Sequence, residues 1–189
     1  MYYFAIAATV AMIALTTDGC RSSNAICPQA RVVVEPAKTD FGFVGTWREL
    51  PSPNSPGINN PEEFSISMDA EGVYKFENKE MDDVAISLRA IELEEGSGYA
   101  IVDVDIVASK KHYCRYLALA KRKDDELFVW WIESKNIAAK LHESGYSAVV
   151  EHGTFSTRVY AKATDLIDCV RRHSKELVGE PTKFTLVVK

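Results

Sequence analysis

Signatures of catalysis are missing from this chain. It has no Gly-x-Ser-x-Gly elbow, no phosphate loop, no His-Glu-x-x-His pair and no dinucleotide fingerprint. No catalytic residue and no cofactor is therefore expected. Cysteine is scarce. Cys20, Cys27, Cys114 and Cys169 stand at spacings that match no zinc pattern, so no metal ligand set is expected either. Positive charge never accumulates: 22 Lys and Arg face 27 Asp and Glu, for a net charge of −5. Lys110-Lys111 and Lys121-Arg122-Lys123 are short, and Asp124-Asp125-Glu126 follows the second directly. They read as solvated loops, and nucleic acid is excluded as a partner on electrostatic grounds. The chain also lacks internal repeats and low-complexity segments.

What is present begins at the N-terminus. Tyr2 to Leu15 is an uncharged apolar run, followed by Thr16-Thr17-Asp18-Gly19 and then Cys20. A helix that crosses the roughly 30 Å of bilayer hydrocarbon needs about 20 apolar residues, so this run is short for a permanent span. It has the length of a signal-peptide core, and Thr17 and Gly19 are small residues suited to cleavage before Cys20. The segment resembles a bacterial lipoprotein signal, which implies export and lipidation of Cys20. The implied location is the cell envelope, facing the periplasm or on the outer membrane, or secretion. Membrane lipid held through Cys20 is then the first expected partner.

Three regions follow: a signal over 1–19, a tether over 20–40 and one folded domain over 41–189. The tether carries Pro28, Pro36 and one β-rich patch, Arg31 to Val34. Phe41 to Leu50 opens the body, and Pro51 to Pro61 reads as a loop. Strands are expected over Glu63–Met68, Gly72–Asn78, Val84–Glu94, Tyr99–Ala108, His112–Lys121 and Leu127–Glu133. In Tyr99–Ala108, Ala100, Val102, Val104 and Ile106 share one face; Asp103 and Asp105 share the other, expected to be solvated. Asn136–Glu143 reads as a short helix ended by Gly145, Tyr146–Ala161 as a strand bent at Gly153, and Lys183–Val188 as the last strand. Asp165–Val178 is the clearest helix, capped by Thr164 and stopped by Gly179 and Pro181. Its stripe of Leu166, Val170, His173 and Leu177 should lie against a sheet. The fold class is mainly β: an antiparallel meander closing into a barrel, with a C-terminal amphipathic helix.

Gly45-Thr46-Trp47 on the first strand of that meander resembles the Gly-x-Trp signature of lipocalin-like barrels. The resemblance implies that Trp47 plugs the closed end of the barrel and that Arg158, on the strand before the late helix, lies across it. It also implies a small hydrophobic ligand in the barrel mouth, with Tyr116, Phe128, Trp130 and Trp131 as wall residues. The adjacent pair Trp130-Trp131 must put one indole on each face of its strand. His173, amid an apolar stripe, should be buried and hydrogen-bonded, either as core or as a pocket-lining group. Glu151 and His152 are adjacent on a strand and cannot easily share a metal ion. In an oxidising compartment Cys114 and Cys169 are candidates for a disulfide; the alternative is two buried thiols. Two functions fit these residues: a carrier of a small hydrophobic molecule, or an envelope structural, interaction or inhibitor lipoprotein with a protein partner and no small-molecule ligand.

Overall fold

A computed structural model describes residues 32–33, 35, 40–50, 63–78, 84–108, 111–152 and 157–188. The signal-like run, Cys20, Cys27, the Pro51 to Pro61 loop and Gly153 lie outside the described residues.

Seven strands run as a meander: β1 (Gly45–Glu49), β2 (Glu63–Met68), β3 (Tyr74–Glu77), β4 (Val84–Glu92), β5 (Ala100–Ala108), β6 (Lys111–Lys123) and β7 (Glu126–Trp131). Each pairs antiparallel with the next. The chain then leaves the sheet for α1 (Ser134–Glu143), a hairpin of β8 (Ala148–His152) and β9 (Thr157–Ala161), and α2 (Ala163–Leu177). The last strand, β10 (Thr182–Val188), returns between β7 and β1 and closes an eight-stranded barrel. Closure leaves the barrel without sheet edges that would pair with another chain.

Period-2 alternation sorts the side chains. On β5, Val102, Val104 and Ile106 join the interior cluster while Ile101 joins the exterior one. On β6, Tyr116, Ala118 and Ala120 point in, and Leu117 and Leu119 point out. The exterior apolar face is covered by the two helices. Ile137 and Leu141 of α1 and Leu166, Cys169, Val170 and Leu177 of α2 are all fully buried. Burying a Leu or Val side chain contributes about 1.5–3 kcal/mol, so this stripe is what holds α2 on the sheet. Gly145, at φ +76°, ends α1 in the left-handed conformation, with the Tyr146 amide donating to the Leu141 carbonyl.

Four expectations are corrected. The stretch from Tyr146 to Ala161 is not one bent strand but two strands paired to each other, with Glu151 opposite Arg158. Thr164 is not the helix cap: Lys162 holds that position without a side-chain bond, and the Thr164 hydroxyl turns to Asp165. Asp103 is not solvated. It is 2% exposed because Val32 and Val33, from the segment expected to be a tether, lie over it. Their amides donate to Asp103 Oδ2 at 2.9 and 3.2 Å, so the folded body takes in Val32 and Val33 as well. Finally, Cys169 is a free, buried thiol. It belongs to the exterior cluster, under the helices.

Candidate functional site

The barrel interior is ring-rich. Phe64 stacks on Phe76 (4.6 Å) and meets Phe184 edge-on (5.1 Å). One end is sealed by Trp47, which is 0% exposed and donates its indole N–H to the Phe43 carbonyl at 2.7 Å. Tyr74 reinforces the seal. Its hydroxyl accepts the Phe41 amide (2.9 Å) and donates to Asp40 Oδ1 (3.2 Å), which also accepts the Gly42 and Phe43 amides. Burial, with a further push from Asp40, holds the Tyr74 hydroxyl above the usual phenol range, so it remains a donor.

Arg122, at the end of β6, lies across the plug with its guanidinium 5.6 Å from the Trp47 ring centroid. It donates to the carbonyls of Gly42 and Asp124, each at 2.8 Å. Gly42 is needed there. Its φ is +78°, and a Cβ would come within 2.8 Å of the Arg122 side chain. Arg158 does not take this place, because β9 belongs to the separate hairpin and not to the barrel. The charge pattern of the sequence places Arg122 in a solvated loop instead. The signal that finds it is the alternation itself: Tyr116, Ala118 and Ala120 point inward, and Arg122 continues the same parity.

Between the plug and the far end lies a cavity of about 80 Å³ with no polar atom in its lining. Phe64, Phe76, Leu88, Val104, Trp131 and Phe184 are among its walls. Ala118 gives it room, since its neighbours in register, Val102 and Trp131, are both larger, and Ala120 lines it beside Val129. Of the residues expected to line a ligand site, Trp131 borders this cavity. Trp47 and Tyr116 belong to the same interior cluster but lie outside the lining, with Tyr116 edge-on to Trp131 at 6.3 Å.

Phe128 and Trp130 are not in the lumen. They lie on the outer face of β7, stacked on each other at 5.9 Å, and Trp130 meets Tyr99 at 5.7 Å. The expectation of one indole on each face holds, with Trp131 inside and Trp130 outside. His173 is also remote from the lumen. It sits where α2 departs from helical geometry (φ −120°, ψ 18°), its ring bonded to the Ser144 hydroxyl (3.1 Å) and Glu176 (3.2 Å). It is a half-buried, hydrogen-bonded histidine at the α1–α2 contact and is not among the residues that line the lumen.

Burial pushes the Cys169 thiol up to about 11, with Asp168 adding to the effect, so it stays protonated and unreactive at neutral pH. Among the described residues, no cluster of His, Cys, Asp and Glu could hold a metal ion, and no helix is long and apolar enough to cross a membrane. Comparison of the chain with family models, curated proteins and solved structures finds no match. The class is thus defined by geometry alone: a closed antiparallel barrel, plugged at one end, with a small all-apolar lumen.

Proposed function

We propose that this is an exported, non-catalytic envelope protein whose barrel holds the slender apolar end of a small hydrophobic ligand. The observation that carries the reading is the lumen cavity of about 80 Å³ without a polar atom in its wall. Left empty, a void of 80 Å³ costs about 2 kcal/mol at roughly 24 cal/mol per Å³. An apolar chain end would recover that. Trp47 under Arg122 at one end of the barrel supports the lipocalin-like reading, with Arg122 in place of Arg158. Size sets the ligand. A cavity of about 150 Å³ takes a benzene ring, so this one takes a few carbons of an unbranched chain, and anything longer must turn Trp131 or Leu88. Native mass spectrometry of protein isolated from the envelope should show a co-purifying alkyl compound, and Ala118→Leu should abolish it. Protein that arrives alone and takes up no alkyl probe would overturn the reading.

The apolar run and Cys20 support export and lipid anchoring. Cys20→Ser should move the protein into the soluble fraction; unchanged membrane association would count against the anchor. A second reading, an envelope interaction protein without a small-molecule ligand, is favoured by one observation. The lumen is far below the roughly 300–1,000 Å³ usual for ligand pockets. Crosslinking and pull-down should then return a stoichiometric protein partner, and a consistently solitary protein would sink it.

A further inference from the structure

The outer wall of the barrel carries a groove of about 430 Å³, more than five times the lumen cavity and inside the range of roughly 300–1,000 Å³ that small-molecule pockets occupy. Its floor is Leu93 and Leu119, both buried. Its aromatic wall is Tyr99 and Trp130, with rings inclined at 46° and both side chains only partly covered. Glu94 and Ser97 rise on one side, from the turn between β4 and β5; Ser174 and Lys175 of α2 rise on the other.

Both sides are fixed before any ligand arrives. In the turn, the Leu93 amide donates to the Tyr99 carbonyl (2.8 Å), the Gly96 amide to Glu92 Oε1 (2.8 Å) and the Tyr99 amide to the Ser97 hydroxyl (3.2 Å). Arg171 ties α2 to that turn by donating to the carbonyls of Leu93 (3.1 Å) and Glu92 (3.3 Å). A groove held open in this way loses little freedom on binding. Phe128, stacked on Trp130 at 20°, sets the tilt of the indole.

The chemistry of the walls selects the ligand. Partly covered rings above an aliphatic floor favour a flat ring that packs offset or tilted against them. Two ammonium groups stand at the groove. Lys121 lies 4.1 Å over the Tyr99 ring and donates to the Ser97 carbonyl. Lys175 is in no ion pair among the described residues. The opposing charges are the Glu94 carboxylate and the partial negative charge at the C-terminal end of α2, which Lys175 itself offsets. We propose that this groove binds a planar aromatic small molecule bearing one anionic group, the ring against Trp130 and Tyr99 and the anion at Lys175.

The test is a fluorescence titration of the full chain with 8-anilinonaphthalene-1-sulfonate, an aromatic anion. Parallel titrations use N-phenyl-1-naphthylamine, its uncharged counterpart. Saturable sulfonate binding is expected. Trp130→Ala and Lys175→Glu should each weaken it about 10-fold, or about 1.4 kcal/mol, whereas Ala118→Leu in the lumen should leave it unchanged. The uncharged probe should bind more weakly and ignore Lys175→Glu. Lys175 is exposed at the end of a helix, so its reversal tests the site even if Trp130→Ala disturbs the fold. Three results would overturn the proposal: no saturable binding, sulfonate binding lost with Ala118→Leu, or equal binding of both probes that neither groove variant alters.

Discussion

The barrel wall separates two cores built from different residues. Inside, six buried rings, Phe43, Trp47, Phe64, Tyr74, Tyr116 and Phe184, stand among aliphatic side chains. Outside, under the helices, the buried residues are aliphatic, from Val32 and Ile101 to Leu166 and Leu177, with Cys169 among them and no aromatic ring. A closed eight-stranded barrel has an interior just wide enough for side chains to fill, and rings reach its axis where aliphatic chains would leave voids. The outer layer has a different task. A helix can settle onto a sheet at whatever distance its side chains set, so Leu, Ile and Val suffice there. The inner core is thus constrained by a fixed cylinder and retains a cavity of about 80 Å³, while the outer core adjusts its spacing.

The sharpest way to break this contrast is to remove one large side chain from each core. Trp47→Ala removes a ring that is 0% exposed, its bond to the Phe43 carbonyl and the platform beneath Arg122. It should cost about 3–5 kcal/mol in urea unfolding. Leu166→Ala, also at 0% exposure, should cost about 2–4 kcal/mol, because α2 can close part of the space. If Leu166→Ala proves the more damaging, the fixed-cylinder account fails.

Asp103 tests the outer core from its polar side. Asp103→Ala leaves the amides of Val32 and Val33 without their buried acceptor, and should cost about 1–3 kcal/mol. The pH dependence has a definite sign. Burial raises the Asp103 carboxyl above its ordinary value, against the pull of the Val33 and Val32 amides and Arg115. A group with a raised folded value contributes most stability below its unfolded value of about 3.9 and loses that contribution as pH rises through the folded value. Asp103→Asn lacks this loss. Relative to the wild type, it should therefore gain stability as pH rises above about 4 in urea unfolding; a parallel pair of curves would show that Asp103 is not desolvated.

Much of the fold was legible because alternation on a half-buried strand is a strong signal. Glu63–Met68 was found to the residue, and both helices were found within two residues at each end. What escaped was long-range. Nothing local says that Val32 and Val33 will cover Asp103, seventy residues on. Nor does chain order reveal that β8 and β9 pair with each other while β10 closes the barrel. Of the site, Trp131 and the plug Trp47 were legible. Adjacency puts Trp130 and Trp131 on opposite faces but does not say which faces in; Leu127 and Val129 line the lumen, so Phe128, expected in the wall, and Trp130 lie outside. The two arginines make the point measurable. Arg122→Ala loses the Trp47 contact and two carbonyl bonds and should cost about 1–2 kcal/mol. Arg158→Ala, on the hairpin outside the barrel, should cost less, under about 1 kcal/mol. Equal costs would remove the case for Arg122 as the residue that seals the plug.

A small expected effect is the most informative about the lumen. Ala118 is 1% exposed and sits in register between Val102 and Trp131, at the cavity wall. Ala118→Leu adds three carbons where there is space for them. Filling the whole void would return about 2 kcal/mol; an imperfect fit of the branched side chain is expected to take back about half. A net gain of about 1 kcal/mol in thermal or urea unfolding is expected. A loss of stability instead would mean that the lumen is already close-packed around Trp131, and the inner core would then be a finished core with no space for a ligand.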